Sequence, residues 1–202
     1  MNIHTIILAG GKGTRMLSQK AKVLQALGGR TMLNHVLTTA NKISNKISVV
    51  VGFDKEGVEE EIKKIGINAN TFLQKEQIGT ADAVKTTLKD IDKNEKILIL
   101  YGDVPLIKEE TLKKLCNQES DLSILTTNLE NPTGYGRTLK DKENNVLGII
   151  EEKDADSEQK KIKEIFTGIL VAKGSVLKKY IPEINNNNSA KEFYLTDLIS
   201  IA

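Results

Sequence analysis

The sequence predicts an α/β domain in which a mostly parallel sheet lies between two layers of helix, with one antiparallel excursion. Three observations predict it. Short β-rich runs alternate with amphipathic helical patterns from Ile3 to Tyr101, and after Asn128 that rhythm gives way to turn-punctuated strands. A chain of 202 residues supplies one well-filled core of this class, and no internal repeat divides it.

Ile3 to Leu8 reads as a buried strand running into glycines. From Thr31, the positions Met32, Leu33, Val36, Leu37, Ala40 and Ile43 fall on one helical face. Ile47 to Val51 is a second strand closed by Gly52, and Val58, Ile62 and Ile65 mark a short helix. Thr71 to Leu73 forms a third strand. Ala81, Val84, Leu88 and Ile91 then define one further helix. Ile97 to Tyr101 is nearly continuous in hydrophobicity, as a central parallel strand should be. Leu122 to Asn128 is another strand, followed by a turn at Pro132, Gly134 and Gly136. Arg137 to Lys140 and Val146 to Glu151 read as antiparallel partners around the polar turn 141–145. The charged stretch 153–163 reads as solvated and partly helical, and Ile165 to Ala172 as a strand. Asn185 to Asn188 is a loop, and Phe193, Leu195, Leu198 and Ile199 open a last helix.

Composition narrows the function classes. Hydrophobic residues at 39% and charged residues at 28% are ordinary globular usage and exclude a disordered chain. With no Trp and 4% aromatics, the core must be built from Ile, Leu and Val. The 29 basic residues nearly cancel the 27 acidic ones, so the chain has no broad footprint for nucleic acid or an anionic membrane. Phosphate recognition must therefore be local. Cys116 is the only cysteine, which excludes an intrachain disulfide and a Cys-based metal cluster. Its place beside Leu112 and Leu115 predicts a small buried thiol. A strand begins at once, without a basic n-region, and no apolar run approaches the ~20 residues of a membrane span. The expectation is a cytoplasmic protein.

In such a sheet, ligands sit beyond the carboxyl ends of the strands, so the loops after Leu8, Leu73 and Tyr101 are the places to look. The first is Leu8-Ala9-Gly10-Gly11-Lys12-Gly13-Thr14-Arg15. Its glycines allow the backbone to bend and approach a phosphate, while Lys12 and Arg15 add positive charge. Read alone, the glycines fit a tight turn equally well. No G-x-x-x-x-G-K-[ST] string is present, and Met16 stands where a G-x-G-x-x-G fingerprint needs its third glycine. Lys22, beside Val23 and Leu24, reads either as a snorkelling surface residue or as a point charge for a phosphate. Asp103 reads as an oxygen ligand for a hard cation, or as a turn or cap residue ahead of Pro105.

The string LAGGKGTRM followed by KVL resembles the signature of the sugar-nucleotide pyrophosphorylases. The likeness is greatest to the N-terminal uridylyltransferase domain of bacterial bifunctional N-acetylglucosamine-1-phosphate uridyltransferases. It recurs in order through LQKEQIGTADA, LYGDVPLI, NPTGYGR, GIIEEKDA, EIFTGIL and EFYLTDLI. It implies a Rossmann-like three-layer sandwich of the nucleotide-diphospho-sugar transferase type, binding UTP and a sugar 1-phosphate with Mg²⁺ as cofactor. The product would be UDP-N-acetylglucosamine, a cell-wall precursor. By this resemblance, the nucleotide is held by Leu8, Ala9, Gly10, Gly11, Lys12, Gly13, Gln74, Gly79, Thr80, Tyr101 and Gly102. Arg15 and Lys22 are catalytic, Asp103 binds the metal, and Gly136, Glu151 and Thr167 bind the sugar. Thr80 alone reads equally as a helix cap.

Three departures accompany the likeness. Ala21 stands where the resembled enzymes carry proline, which should loosen the loop. Phe166 replaces a sugar-binding asparagine and can make no hydrogen bond there, so a different sugar phosphate, a different nucleotide or a non-catalytic nucleotide-binding relic are the alternatives. The single domain is expected to be truncated at Ala202, without a second metal ligand or an acetyltransferase domain. Because removal of a preorganised charge commonly costs ~10²–10³ in rate, Arg15→Ala should abolish turnover while leaving the circular-dichroism spectrum native.

Overall fold

The computed structural model describes residues 2–13 and 20–202. β1 (Ile3–Leu8) is buried at every position. A two-residue hairpin of β2 (Ala26–Leu27) and β3 (Arg30–Thr31) turns on Gly28 and Gly29, both at positive φ. It delivers the chain to α1 (Met32–Asn41), whose first turn is capped where the Asn34 amide donates to the Thr31 hydroxyl at 3.0 Å. β4 (Lys46–Val51), α2 (Lys55–Ile65), β5 (Asn70–Leu73), α3 (Thr80–Lys85), β6 (Lys96–Tyr101) and α4 (Glu109–Cys116) follow. The second half comprises β7 (Leu122–Asn128), β8 (Arg137–Lys140), β9 (Val146–Ile150), β10 (Glu164–Lys173), α5 (Gly174–Tyr180) and α6 (Leu198–Ile201).

The main sheet runs β5-β4-β1-β6-β10-β8-β9, with β7 also paired to β10. Its first four members are parallel, and β10 enters antiparallel to β6. The order reverses at β1: the chain steps outward through β4 to β5, then returns to β6 on the other side. That switch opens a crevice over the carboxyl ends of β1 and β6. Two apolar layers cover the sheet. Leu33, Val36 and Leu37 of α1, Val58 and Ile62 of α2, and Leu112 and Leu115 of α4 pack on one face. Ala81 and Val84 of α3, Leu177 of α5, and Leu195 and Leu198 pack on the other. Fully burying each Val, Leu or Ile side chain among them contributes about 1.5–3 kcal/mol. Cys116 is buried, and burial pushes its thiol up to about 11, which keeps it unreactive. No helix among the described residues is long and apolar enough to cross a membrane.

Several expectations change in detail. The helix read from Ala81 to Ile91 stops at Lys85 and resumes only as a 3-10 turn at Leu88–Asp90. The reason is local: the Thr86 and Thr87 hydroxyls donate to the Ala83 and Val84 carbonyls, each at 2.7 Å, in competition with the helical ladder. The excursion 153–163 contains only a 3-10 turn, Gln159–Lys161. The last helix is a 3-10 turn, Leu195–Asp197, running into α6. The hairpin β2–β3 and α5 were not foreseen; α5 carries only Val176, Leu177 and Tyr180 as apolar positions, too few to announce a helix by period.

At the amino ends of the central strands lies a buried polar group. His4 is fully buried, with Nδ1 3.1 Å from Glu95 Oε1 and Nε2 2.7 Å from Ser48 Oγ. The carboxylate favours the tautomer in which Nδ1–H donates to Glu95, while Nε2 meets the Ser48 hydroxyl, which also lies 3.4 Å from Asp90 Oδ2. Lys46 and Asp90 form an ion pair at 2.9 Å beside it. Burial outweighs the pull of Glu95 and lowers the His4 pKa below its ordinary 6.5. The unfolded chain therefore binds a proton that the native state refuses, and stability falls as pH drops below about 6.5. The urea midpoint should decrease between pH 7.5 and pH 5.5, and less steeply in His4→Asn. Equal slopes in the two proteins would remove His4 as the cause.

Candidate functional site

Three backbone hydrogen bonds align the strand ends that build the site. The Gly102 amide donates to Leu8 O at 3.0 Å, Ala9 to Val50 O at 2.9 Å, and Gln74 to Val51 O at 2.8 Å. Over these ends opens a cleft of about 340 Å³, walled by Leu8, Ala9, Gly10, Gly11, Gly13, Lys22, Gln74, Gly79, Thr80, Tyr101 and Asp103 among others. A second cleft of about 700 Å³ adjoins it and includes Gly136, Glu151, Phe166, Thr167, Tyr194 and Thr196. Lys22, Thr80, Tyr101, Asp103 and Glu192 border both, so the two form one bilobed trough.

Lys22 and Asp103 meet at the waist of this trough. The ammonium donates to the Asp103 carboxylate at 2.6 Å, with the side chains 41% and 26% exposed. Lys22 begins a 3-10 turn, Lys22–Leu24, whose Val23 is buried beneath Gly102 and anchors the segment. The lysine is thus placed by its buried neighbour, with its ammonium held on Asp103. The preceding residue is not loose either. Ala21 is fully buried, and its amide donates to Asp54 Oδ2 at 3.0 Å, a bond that a proline could not make. Gly13, at φ +64, lies so close that a Cβ there would come within 2.6 Å of the Lys22 Cβ. Asp103 caps no helix: the residue that opens α4 is Lys108.

Gln74 is buried at the end of β5. Its amide nitrogen donates to Gly79 O at 3.0 Å and to Asp82 Oδ2 at 2.9 Å. Both partners are acceptors, so the amide orientation is fixed and Oε1 is left toward Gly10 and the cleft. Gly79 has φ +135, and a Cβ there would stand 2.3 Å from Phe193 O. Thr80 does not cap α3. Its hydroxyl instead accepts from the Leu195 amide at 2.9 Å, tying the helix start to the carboxyl-terminal segment.

In the second lobe, Glu151 Oε1 accepts from the Thr196 hydroxyl at 3.0 Å, while Oε2 faces Gly136. Burial raises the Glu151 pKa above the usual carboxylate range, partly countered by Thr196. β10 bulges between Phe166 and Leu170, and the bulge presses Gly168 against the Tyr101 ring. Burial likewise raises the Tyr101 phenol well above its ordinary range. The Thr167 hydroxyl donates to Leu125 O at 2.8 Å, so its side chain is committed to the neighbouring strand. Phe166, 6% exposed, packs into the apolar layer and gives the cleft a ring edge without a polar group.

Two nominated residues stand off the trough. The Lys12 ammonium lies 5.3 Å from the Phe53 ring centroid, and Gly102 is buried behind the wall. Arg15 lies outside the described residues. Asp54, Asp82 and Thr196 were not singled out in the sequence. Thr196 sits in the EFYLTDLI block, where the block match was the available signal.

The sequence profile described as MobA-like NTP transferase domain matches residues 5–158. The chain is 46% identical over 203 residues to the bifunctional protein GlmU of Ruthia magnifica subsp. Calyptogena magnifica, covering all of this chain and 44% of that protein. It is 46% identical over 205 residues to GlmU of Francisella tularensis subsp. novicida, with the same coverage. The chain thus spans less than half the length of these curated relatives. Among solved structures, UDP-glucose pyrophosphorylase complexed with UDP-glucose aligns at a TM-score of 0.81 and 14% identity, covering 99% of this chain and 86% of that one. A putative glucose-1-phosphate thymidylyltransferase from Bacillus anthracis aligns at 0.75 and 20% identity, covering 97% and 80%. At those identities the likeness establishes the fold.

Gly79 yields a direct test of how the first lobe is built. Gly79→Ala should lower unfolding free energy by about 1–3 kcal/mol, because the backbone is strained for any L side chain and the obstructing atoms are main chain. Native stability would show that the contact with Phe193 is not as close as described.

Proposed function

The chain belongs to the MobA-like NTP transferase family, and on that premise we propose that it transfers the uridylyl group of UTP to N-acetylglucosamine 1-phosphate and releases pyrophosphate. The observation that carries this reading is the trough itself. Two adjoining lobes, one lined by the glycine loop and Gln74 and the other by Gly136 and Glu151, share one wall, and the ion pair of Lys22 and Asp103 lies at that wall. The family relationship to GlmU at 46% identity supports the same assignment.

Base selection follows from Gln74. With both amide protons engaged internally, Oε1 is an acceptor, which suits the N3–H of uracil. Cytosine would bring a lone pair to the same oxygen. An unpaired polar contact of that kind costs about 1–3 kcal/mol. In the other lobe, the Glu151 carboxylate, half engaged by Thr196, has Oε2 left to accept from sugar hydroxyls.

The phosphate oxygen of the sugar attacks the α-phosphorus of UTP in line, and the pyrophosphate leaves from the opposite side. No covalent enzyme intermediate is needed, so the protein contributes positioning and charge. Gly10, Gly11 and Gly13 line the first lobe, where main-chain amides would meet the triphosphate, and the Lys22 ammonium at the waist would orient the attacking phosphate. By the family resemblance, Arg15 would supply a further positive charge for the triphosphate. Asp103 fits Mg²⁺, because that cation takes one or two carboxylates and completes its shell with water and phosphates. When bound, the ion neutralises charge that builds on the phosphate oxygens.

Phe166 favours a second reading within the same reaction class. A buried ring on the sugar lobe supplies apolar contact and no hydrogen bond, which suits a sugar 1-phosphate with a less polar substituent.

Pyrophosphate release from a panel of triphosphates and sugar 1-phosphates tests both readings. UTP with N-acetylglucosamine 1-phosphate should be the preferred pair, with kcat/KM for CTP lower by roughly 10–10²-fold. Chelation of divalent cations should stop turnover, and Lys22→Ala should lower kcat by about 10²–10³. Preference for another sugar selects the second reading, and release with no pair sinks both.

A further inference from the structure

Gly136-Arg137 and Glu151-Glu152 are consecutive pairs at facing ends of β8 and β9, whose register sets Arg137 opposite Ile150. Neighbouring residues on pleated strands point to opposite faces. The first members, Gly136 and Glu151, border the sugar lobe. The second members meet behind it. Arg137 Nη2 donates to Glu152 Oε2 at 2.6 Å, with the arginine side chain 2% exposed and the glutamate 28%. The same carboxylate oxygen accepts the Gly134 amide at 3.1 Å. Arg137 Nη1 donates to Tyr135 O, and Nη2 also reaches Lys160 O at 3.4 Å. One buried guanidinium therefore fastens the 132–136 loop, the end of β9 and the 3-10 turn near Lys160.

That fastening matters because the loop forms the rim of the sugar lobe. Thr133 N and Oγ1 both donate to Asn131 Oδ1, and Tyr135 N donates to Pro132 O. These bonds shape the turn without tying it to the sheet. At its far end, the Gly136 carbonyl accepts from the Phe166 amide at 3.0 Å, fixing that one point. A lysine could not replace the arginine, since a single ammonium cannot reach acceptors on three segments as a planar fork does.

We infer that Arg137 and Glu152 are a positioning pair that sets the 132–136 loop against Glu151 and thereby governs affinity for the acceptor sugar phosphate without touching it. This rests on the reading of the second lobe as the sugar site. Arg137, followed by the Gly134 amide, also holds the Glu152 carboxyl below the usual carboxylate range, so the clamp stays charged at neutral pH.

The test compares wild type, Arg137→Lys and Glu152→Gln in the full chain by steady-state kinetics and amide hydrogen exchange. Expected are a rise in KM for N-acetylglucosamine 1-phosphate of roughly 10–10²-fold and a KM for UTP within about twofold of wild type. Exchange at 133–136 should accelerate while α1 and α2 keep their protection. Glu152→Gln, at a partly exposed position, carries the experiment if Arg137→Lys does not fold. Unchanged exchange and unchanged sugar KM would overturn the proposal, as would a lowered Tm with both KM values shifted alike. Exchange reads the loop without turnover. Loosening at 133–136 in a chain that turns over no sugar phosphate therefore supports the clamp and overturns the functional reading instead.

Discussion

Parallel pairing of β1 with β4 on one side and β6 on the other is the constraint from which the site follows. Because the three strands run in the same direction, their carboxyl ends terminate together, and the bonds from Ala9 to Val50 and from Gly102 to Leu8 hold them level. The glycine loop, Gln74 and Asp103 are far apart in sequence, yet all leave strands at this one edge. Apolar layers on both faces make the alignment stiff, since a slip of β1 by one residue would turn buried side chains to the wrong layer. The reversal of strand order at β1 then leaves the crevice that the ligand needs.

Charge is handled locally within this neutral chain. Lys22 and Asp103 satisfy each other at the waist of the trough, where both side chains remain partly exposed. Such a pair contributes little to stability. Its value is placement: it keeps a cation and an anion at the junction of the two lobes, ready to exchange partners. Ala21 shows how the placement is enforced, since its buried amide is tied to Asp54 in the left-handed turn before α2. Behind the second lobe, Arg137 and Glu152 play a comparable part from a position that never meets the cleft.

The carboxyl-terminal segment proves integral to both lobes. Phe193 backs Gly79, Leu195 is bound by Thr80, and Thr196 engages Glu151. These contacts join the start of α3, at the first lobe, to Glu151, in the second, through one short stretch of chain.

Much was legible in the sequence because it was periodic or covalently local. Short β-rich runs marked β1 and β4, a nearly continuous apolar run marked β6, and 3.6-residue spacing marked α1 and α2, since burial on two faces or one stripe imposes those patterns directly. The glycine loop and Asp103 could be nominated because strand ends are where an α/β sheet keeps its ligands. Tertiary structure decided the rest. The tie of Thr80 to Leu195 and the commitment of Thr167 to Leu125 are hydrogen bonds across long sequence separations, and no local pattern encodes them. Thr86 and Thr87 ended α3 early by turning their hydroxyls on their own helix, a choice that propensity only weakly favours. Composition and order fixed what the strands would be, whereas only the folded pairing could determine which side chains meet, because those meetings depend on register and pleat.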